Sequence, residues 1–205
     1  MIRNVVCDMG GVLIAWDPPS IVNRFGLCAE DAAKLLREVF QSPEWTMQDR
    51  GVIPQEEILS RMYRRLPPHL HKAAAECVYG WWKPPFTPMN GIENLLRELK
   101  QNGYSLYILS NASRALHEYF HRLPASDVFS GLFVSADYGL LKPEQNIFQK
   151  FFETFQIRPE ECFFIDDNPM NIEAAFMVGM QGSVFFGDTA RLRRELIEAG
   201  VNVSQ

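Results

Sequence analysis

Asp8, Ser110-Asn111, Lys142-Pro143 and Asp166-Asp167 follow one another along the chain, each at the end of a short apolar run or a short loop beyond it. Gathered in one place they would supply a nucleophilic carboxylate, a hydroxyl and amide pair, a lysine and a pair of acids, the parts that phosphoryl transfer requires. Two adjacent acids facing a third are costly: like charges about 4 Å apart repel by roughly 4 kcal/mol at an effective dielectric near 20. A divalent cation is the natural remedy, and an all-oxygen donor set points to magnesium. Ser110 and Asn111 suit phosphate oxygens at the start of a helix, and the Lys142 ammonium would offset both the carboxylates and an incoming phosphate. Each residue also has a plainer reading. Asp167 or Asn168 would cap a helix before Pro169, Ser110-Asn111 would cap the helix after them, and Lys142 would be a solvated lysine. The joint occurrence in order favours a site.

Elements must hold these residues at one edge. The apolar runs at 2–7, 104–109, 131–136 and 162–165 are short enough for buried strands, with a last strand expected at 183–186. Helical stretches are expected at 91–102, 113–123, 144–155, 169–179 and 188–199. This alternation predicts an α/β fold, a doubly wound parallel sheet of Rossmann-like type, in which ligands bind beyond the carboxyl ends of the strands. The alternation is interrupted from about 18 to 82, where four stretches carry apolar residues at helical spacing between Pro and Gly breaks: SIVNRFG, AEDAAKLLREVFQ, PQEEILSRMYRRL and HLHKAAAECVYGWW. The expected organisation is a core of 1–16 and 84–205 with a helical cap, 17–83, inserted over the strand ends.

Composition narrows the function. With 205 residues, 47% of them hydrophobic, the chain can bury a full core. A net charge of −5 and no lysine-arginine block argue against nucleic-acid or anionic-lipid partners, and Arg61, Arg64 and Arg65 read as a solvated helix face. Cys7, Cys28, Cys77 and Cys162 lack zinc or disulfide spacing, and Cys7 and Cys162 fall in strand-like runs as small buried hydrophobes. With the first strand close to Met1 and no apolar stretch of membrane-spanning length, a soluble cytoplasmic protein, monomeric or homodimeric, is expected.

The segments DMGGVL at Asp8, LSNAS at Ser110, GLLKPEQNIF at Lys142 and FIDDNPMNIEAA at Asp166 resemble the haloacid dehalogenase-like hydrolase superfamily over almost the whole chain. The helical insertion, including DRGVIPQEE from Asp49, is similar to the cap of its sugar-phosphate phosphatases and dehalogenases, and the chain as a whole is nearest to the alpha-glucose-1-phosphatase-like branch. The resemblance implies a magnesium-dependent phosphatase of a small phosphorylated metabolite, such as a hexose 1-phosphate, with Asp8 forming an aspartyl-phosphate. It implies magnesium ligation by Asp8, the Gly10 carbonyl and Asp167, with Asp166 direct or through water, and phosphoryl contacts from Ser110, Asn111 and Lys142. Many relatives carry a second Asp two residues after the nucleophile to protonate the leaving group, where this chain has Gly10. A good leaving group, Asp17 or a water would have to compensate, since such acid-base help is worth about 10²–10⁴-fold. Two alternatives stand beside this reading. A 2-haloacid dehalogenase would use no magnesium and carry small or amide residues at 166 and 167, and a non-catalytic phosphate-binding regulator would accord with Gly10.

His117-Glu118-Tyr119-Phe120-His121 matches the HExxH zinc-protease pattern, but no third ligand stands out and a short motif is easily matched by chance. Trp16, Trp45, Trp81 and Trp82 are expected mainly to pack the core of the cap, with Trp16, Asp17, Trp45 and Arg50 as the set that would otherwise face a substrate.

Overall fold

The computed structural model describes residues 1–204. Five strands, β1 (Asn4–Cys7), β2 (Ser105–Ser110), β3 (Gly131–Val134), β4 (Cys162–Asp166) and β5 (Gln181–Val184), form one parallel sheet in the order β3-β2-β1-β4-β5. The last strand begins two residues earlier than the sequence suggests; Phe185 and Phe186 lie beyond it, the first buried and the second exposed. Because side chains alternate across a strand, Val5 and Cys7 join one apolar layer and Val6 the opposite one. The same alternation divides Leu106 and Ile108 from Tyr107 and Leu109. Both faces are covered, as a parallel sheet requires.

The helical segment between β1 and β2 comprises α1 (Pro18–Asn23), α2 (Ala29–Leu35), α3 (Pro43–Arg50), α4 (Gln55–Tyr63) and α5 (His71–Gly80), with a π-turn at Leu36–Phe40 continuing α2. Its apolar faces close on a cluster of their own built around Leu35, Val39, Ile58, Met62, Leu70 and Val78, separate from the two layers on the sheet. Helix α3 is absent from the sequence expectation, because PEWTMQDR lacks an apolar stripe. Local signals nonetheless define it: Ser42 Oγ caps the Trp45 N–H at 3.3 Å, Pro43 occupies the first turn, and Gly51 ends the helix at φ +73°. Arg65 does not lie on a merely solvated face. It ion-pairs with Glu38 (2.7 Å) and with Glu44 (2.6 Å), the latter nearly fully buried at the start of α3.

Helix α6 (Ile92–Gln101) precedes β2, and α7 (Leu116–Tyr119), α8 (Ser135–Tyr138), α9 (Gln145–Phe155), α10 (Pro169–Met177) and α11 (Thr189–Glu198) follow it along the chain. The expected helix at 113–123 is only α7 followed by a 3₁₀ turn at Phe120–Arg122. His117 and His121 therefore do not share a continuous helical face, and His117 Nε2 is taken by Asp137 at 2.7 Å. Among the described residues, no helix is long and apolar enough to cross a membrane.

Candidate active site

β1 lies at the centre of the sheet, and the chain winds first to β2 and β3 on one side and then to β4 and β5 on the other. The crevice where winding reverses opens at the carboxyl ends of β1 and β4. Parallel register pairs Cys7 with Ile108 and with Ile165, so Asp8, Ser110 and Asp166 emerge together at that edge. The Asp8 N–H donates to Ile165 O at 2.8 Å, extending the ladder to the acid itself.

Among the described residues, Asp8, Asp166 and Asp167 form the group whose oxygens converge, all within 4.8 Å of one another. Between two of them sits Lys142. Its Nζ reaches Asp166 Oδ2 at 2.6 Å, Leu109 O at 2.9 Å and Asp8 Oδ1 at 3.0 Å, with the side chain only 1% exposed. Those three contacts use the three ammonium hydrogens. Lys142 offsets the carboxylates as expected, but it is not among the residues that line the cavity where a phosphate would sit. Burial works against its charge, but Asp166 and Asp8 outweigh that and hold the ammonium above its ordinary range.

Asn111 is also used differently. Its Nδ2 donates to Lys142 O (3.0 Å) and its Oδ1 accepts from Lys142 N (2.8 Å), so the side chain clamps the Lys142 backbone to the end of β2. Neither Ser110 nor Asn111 caps a helix: Ser110 is the last residue of β2 and α7 starts five residues after Asn111. Asn168 does cap α10, accepting from Met170 N at 3.0 Å. Asp166 accepts from Asn168 N, from Asn171 Nδ2 at both oxygens and from Lys142, and it is completely buried. Four contacts fill the usual acceptor sites of a carboxylate, so Asp166 anchors the cluster.

Asp167 is exposed and stands against Gly11, where a Cβ would fall 2.2 Å from Asp167 Oδ2; with φ at +75° this position accepts only glycine comfortably. Although its side chain reaches solvent, partial desolvation among its neighbours, with the charge of Asp166, pushes the Asp167 carboxyl up. Burial likewise raises Asp8 to about 6 against the opposing pull of Lys142, which leaves it largely ionised at neutral pH.

Over these residues lies a cavity of about 230 Å³, entered between the strand ends and the helical segment. Asp8, Gly10, Ser110, Asn111 and Asp167 form its polar floor, while Trp16, Trp45, Trp81 and Tyr119 form aromatic walls. Trp16 touches both other indoles, with ring centroids 5.7 Å from Trp45 and 4.8 Å from Trp81, whereas Trp82 is buried against Tyr119. Trp16 and Trp45 thus face the cavity. Asp17 does not: it caps α1 through Ser20. Arg50 is spent on Glu144 and Gly139 O.

The residue that sequence reasoning passes over is Asp49, which lines the cavity from the end of α3. Only its place in DRGVIPQEE, quoted for the likeness of the cap, drew attention to it. Its backbone is fastened to the core, because Ser135 Oγ donates to Asp49 O at 2.5 Å while accepting from Ala112 N at 2.9 Å.

Comparison with known proteins bears on the family and the fold. A family model described as haloacid dehalogenase-like hydrolase matches residues 2–179. The chain is 30% identical over 186 residues to the sesquiterpene phosphatase astK of Aspergillus oryzae, covering 88% of each. Its fold matches that of a HAD family enzyme from Bacteroides thetaiotaomicron crystallised with magnesium and inorganic phosphate, at a TM-score of 0.69 and 22% identity over 94% of this chain and 99% of that one. The L-2-haloacid dehalogenase of Xanthobacter autotrophicus matches at 0.67 and 17% identity, over 99% and 85%. At those identities the two structures speak for the fold alone.

Proposed function

The chain belongs to the haloacid dehalogenase-like hydrolase family, and from that we propose that it is a magnesium-dependent phosphatase of small phosphomonoesters, working through an aspartyl-phosphate on Asp8. The observation that carries this reading is a count of charge. Three carboxylates converge around a single ammonium, leaving a surplus of negative charge beneath a cavity. A dehalogenase has no use for that surplus. A hard divalent cation does.

The donor set fits magnesium: oxygens of Asp8 and Asp167, the Gly10 carbonyl on the cavity floor, and Asp166 through water. When bound, the ion would neutralise phosphate charge and polarise a phosphoryl oxygen. The chain's own residues do the rest. Lys142 and the Met9 N–H (2.7 Å) pin Asp8 through Oδ1, which leaves Oδ2 as the attacking oxygen. Ser110 and the backbone beside it hold the phosphoryl group in line, and Asn111 fixes the loop that carries Lys142. The helical segment acts as a cap that excludes water and meets the leaving group.

The aromatic walls bear on the substrate. Trp16, Trp45 and Trp81 offer apolar faces, and among the described residues no arginine or lysine lines the cavity. This supports an organic leaving group with an apolar face and no second charge. A hexose 1-phosphate, presenting C–H faces to indole, satisfies that, and an apolar alcohol phosphate, of the kind implied by the name of the Aspergillus relative, satisfies it more fully. Phosphate release from sugar, polyol and prenyl-type monophosphates, with and without magnesium and beside Asp8→Asn, tests the reading. Metal-dependent release that disappears in the variant is expected. No release from any compound, with binding retained, would instead indicate a phosphate-binding regulator.

A further inference from the structure

The proposed reaction lacks a proton donor. Gly10 stands where many relatives carry the acid, and a Cβ there would meet Trp16 Cβ at 3.3 Å, a tight contact. Asp17 is committed to capping α1. Tyr119 lines the cavity, but its hydroxyl is buried against Met9 Sδ (3.9 Å), and burial pushes its ionisation upward. Among the described residues, the carboxyl groups lining the cavity belong to Asp8, Asp167 and Asp49, and the first two stand in the cation cluster.

Resting on the phosphatase reading above, the geometry points to Asp49, delivered from helix α3 of the inserted segment, as the general acid and base that replaces the missing acid at Gly10. Three observations support the assignment. Asp49 lines the same cavity as Asp8, beside the Trp45 indole of the aromatic wall. Its position is rigid, since Ser135 Oγ holds its carbonyl and Gly51 lets α3 pack closely on α8. Burial raises its carboxyl well above the ordinary range, against hydrogen bonding from the Trp45 side chain and the Ser113 backbone, while the charge of Asp8 adds to the rise. A carboxyl whose neutral form is favoured by burial is suited to give a proton away.

The steps balance. Asp8 Oδ2 attacks phosphorus, the bond from phosphorus to the ester oxygen breaks, and that oxygen takes the Asp49 proton, giving the free alcohol and an Asp49 carboxylate. In the second step water attacks phosphorus and gives its proton to Asp49, while the bond to Asp8 breaks. Phosphate is released, and both acids return to their starting forms.

The test compares 4-nitrophenyl phosphate, whose phenolate leaves without a proton, with the best alkyl phosphate of the substrate panel. For Asp49→Asn, kcat/KM should fall about 10²–10⁴-fold on the alkyl ester and less than about tenfold on the nitrophenyl ester. A burst of nitrophenolate should also appear, because hydrolysis of the aspartyl-phosphate would now lack its base. Asp49→Glu should restore part of the alkyl rate. Equal losses on both esters would show a structural role and overturn the assignment, as would an undiminished alkyl rate. Should Asp49→Asn not fold, the unmodified enzyme decides: a weak dependence of kcat/KM on leaving-group basicity supports a proton donor, and a steep one refutes it. Absence of Asp8-dependent turnover in the unmodified enzyme would instead remove the phosphatase reading and this inference together.

Discussion

Replacing Gly51 by Ala should damage this protein through one contact that cannot relax by side-chain rotation. Gly51 ends α3 at φ +73°, and a Cβ built there lies 2.1 Å from the backbone oxygen of Ala136 and 2.9 Å from its carbonyl carbon, below the 3.0 Å that real Cβ atoms respect. Left-handed backbone costs a non-glycine residue about 1–2 kcal/mol. Opening the contact requires α3 and α8 to separate by roughly 1 Å, an overpacking strain typically of about 1–3 kcal/mol. The bond from Ser135 Oγ to Asp49 O spans the same junction and adds about 1 kcal/mol if it is lost. The expected destabilisation is therefore about 3–6 kcal/mol, a large part of the ~5–15 kcal/mol by which domains are stable. Gly139→Ala is the matched control. Gly139 ends α8 at φ +72°, yet no described atom lies within 4 Å of its added Cβ, so only the backbone term of about 1–2 kcal/mol applies. Urea denaturation of both variants measures the difference, and phosphate release reports whether displacing α3 also removes Asp49 and Trp45 from the cavity. Equal destabilisation of the two variants would refute the reasoning, because the clash would then contribute nothing.

Lys142→Met should lower stability by about 3–5 kcal/mol near neutrality, since it leaves Asp166 fully buried and Asp8 without their shared cation; urea unfolding checks this, and added magnesium should recover part of the loss. Glu44→Gln tests the anchoring of α3. Hydrogen bonding from Arg65 holds the Glu44 carboxyl below its ordinary value, so its contribution of roughly 1.5–3 kcal/mol is present above the unfolded carboxylate range near pH 4.3 and is lost as pH falls through the lower folded value. The stability gap between the natural protein and Glu44→Gln should accordingly be wide at pH 7 and close on acidification below about pH 4.

Much of this was legible in the chain itself. The positions of the strands and the residues at their ends follow from apolar runs too short for helices, because a parallel strand buried on both faces must be apolar and its carboxyl end must face the crevice. The pattern thus offered Asp8, Ser110, Asp166 and Asp167 as neighbours at one edge, and the magnesium expectation joined the repulsion of neighbouring acids to the family resemblance. The interruption from 18 to 82 was equally plain, since amphipathic spacing survives in four of its five helices.

What tertiary structure decided is how those groups are spent. Whether a lysine faces a phosphate or two carboxylates depends on atoms 24 and 134 residues away, and only packing sets the 2.6 and 3.0 Å contacts that turn Lys142 inward. Asn111 was legible as a polar residue at a strand end, but not as the clamp on Lys142, because side-chain partners across 31 residues leave no periodic trace. Asp49 was hidden for a related reason. It sits on a helix without an apolar stripe, and its surroundings are created by Trp16 and Trp81, both distant in sequence, and by the approach of α3 to α8 through Gly51. Periodicity reports which face a segment buries, whereas the protonation of one carboxyl is set by neighbours that only folding brings near.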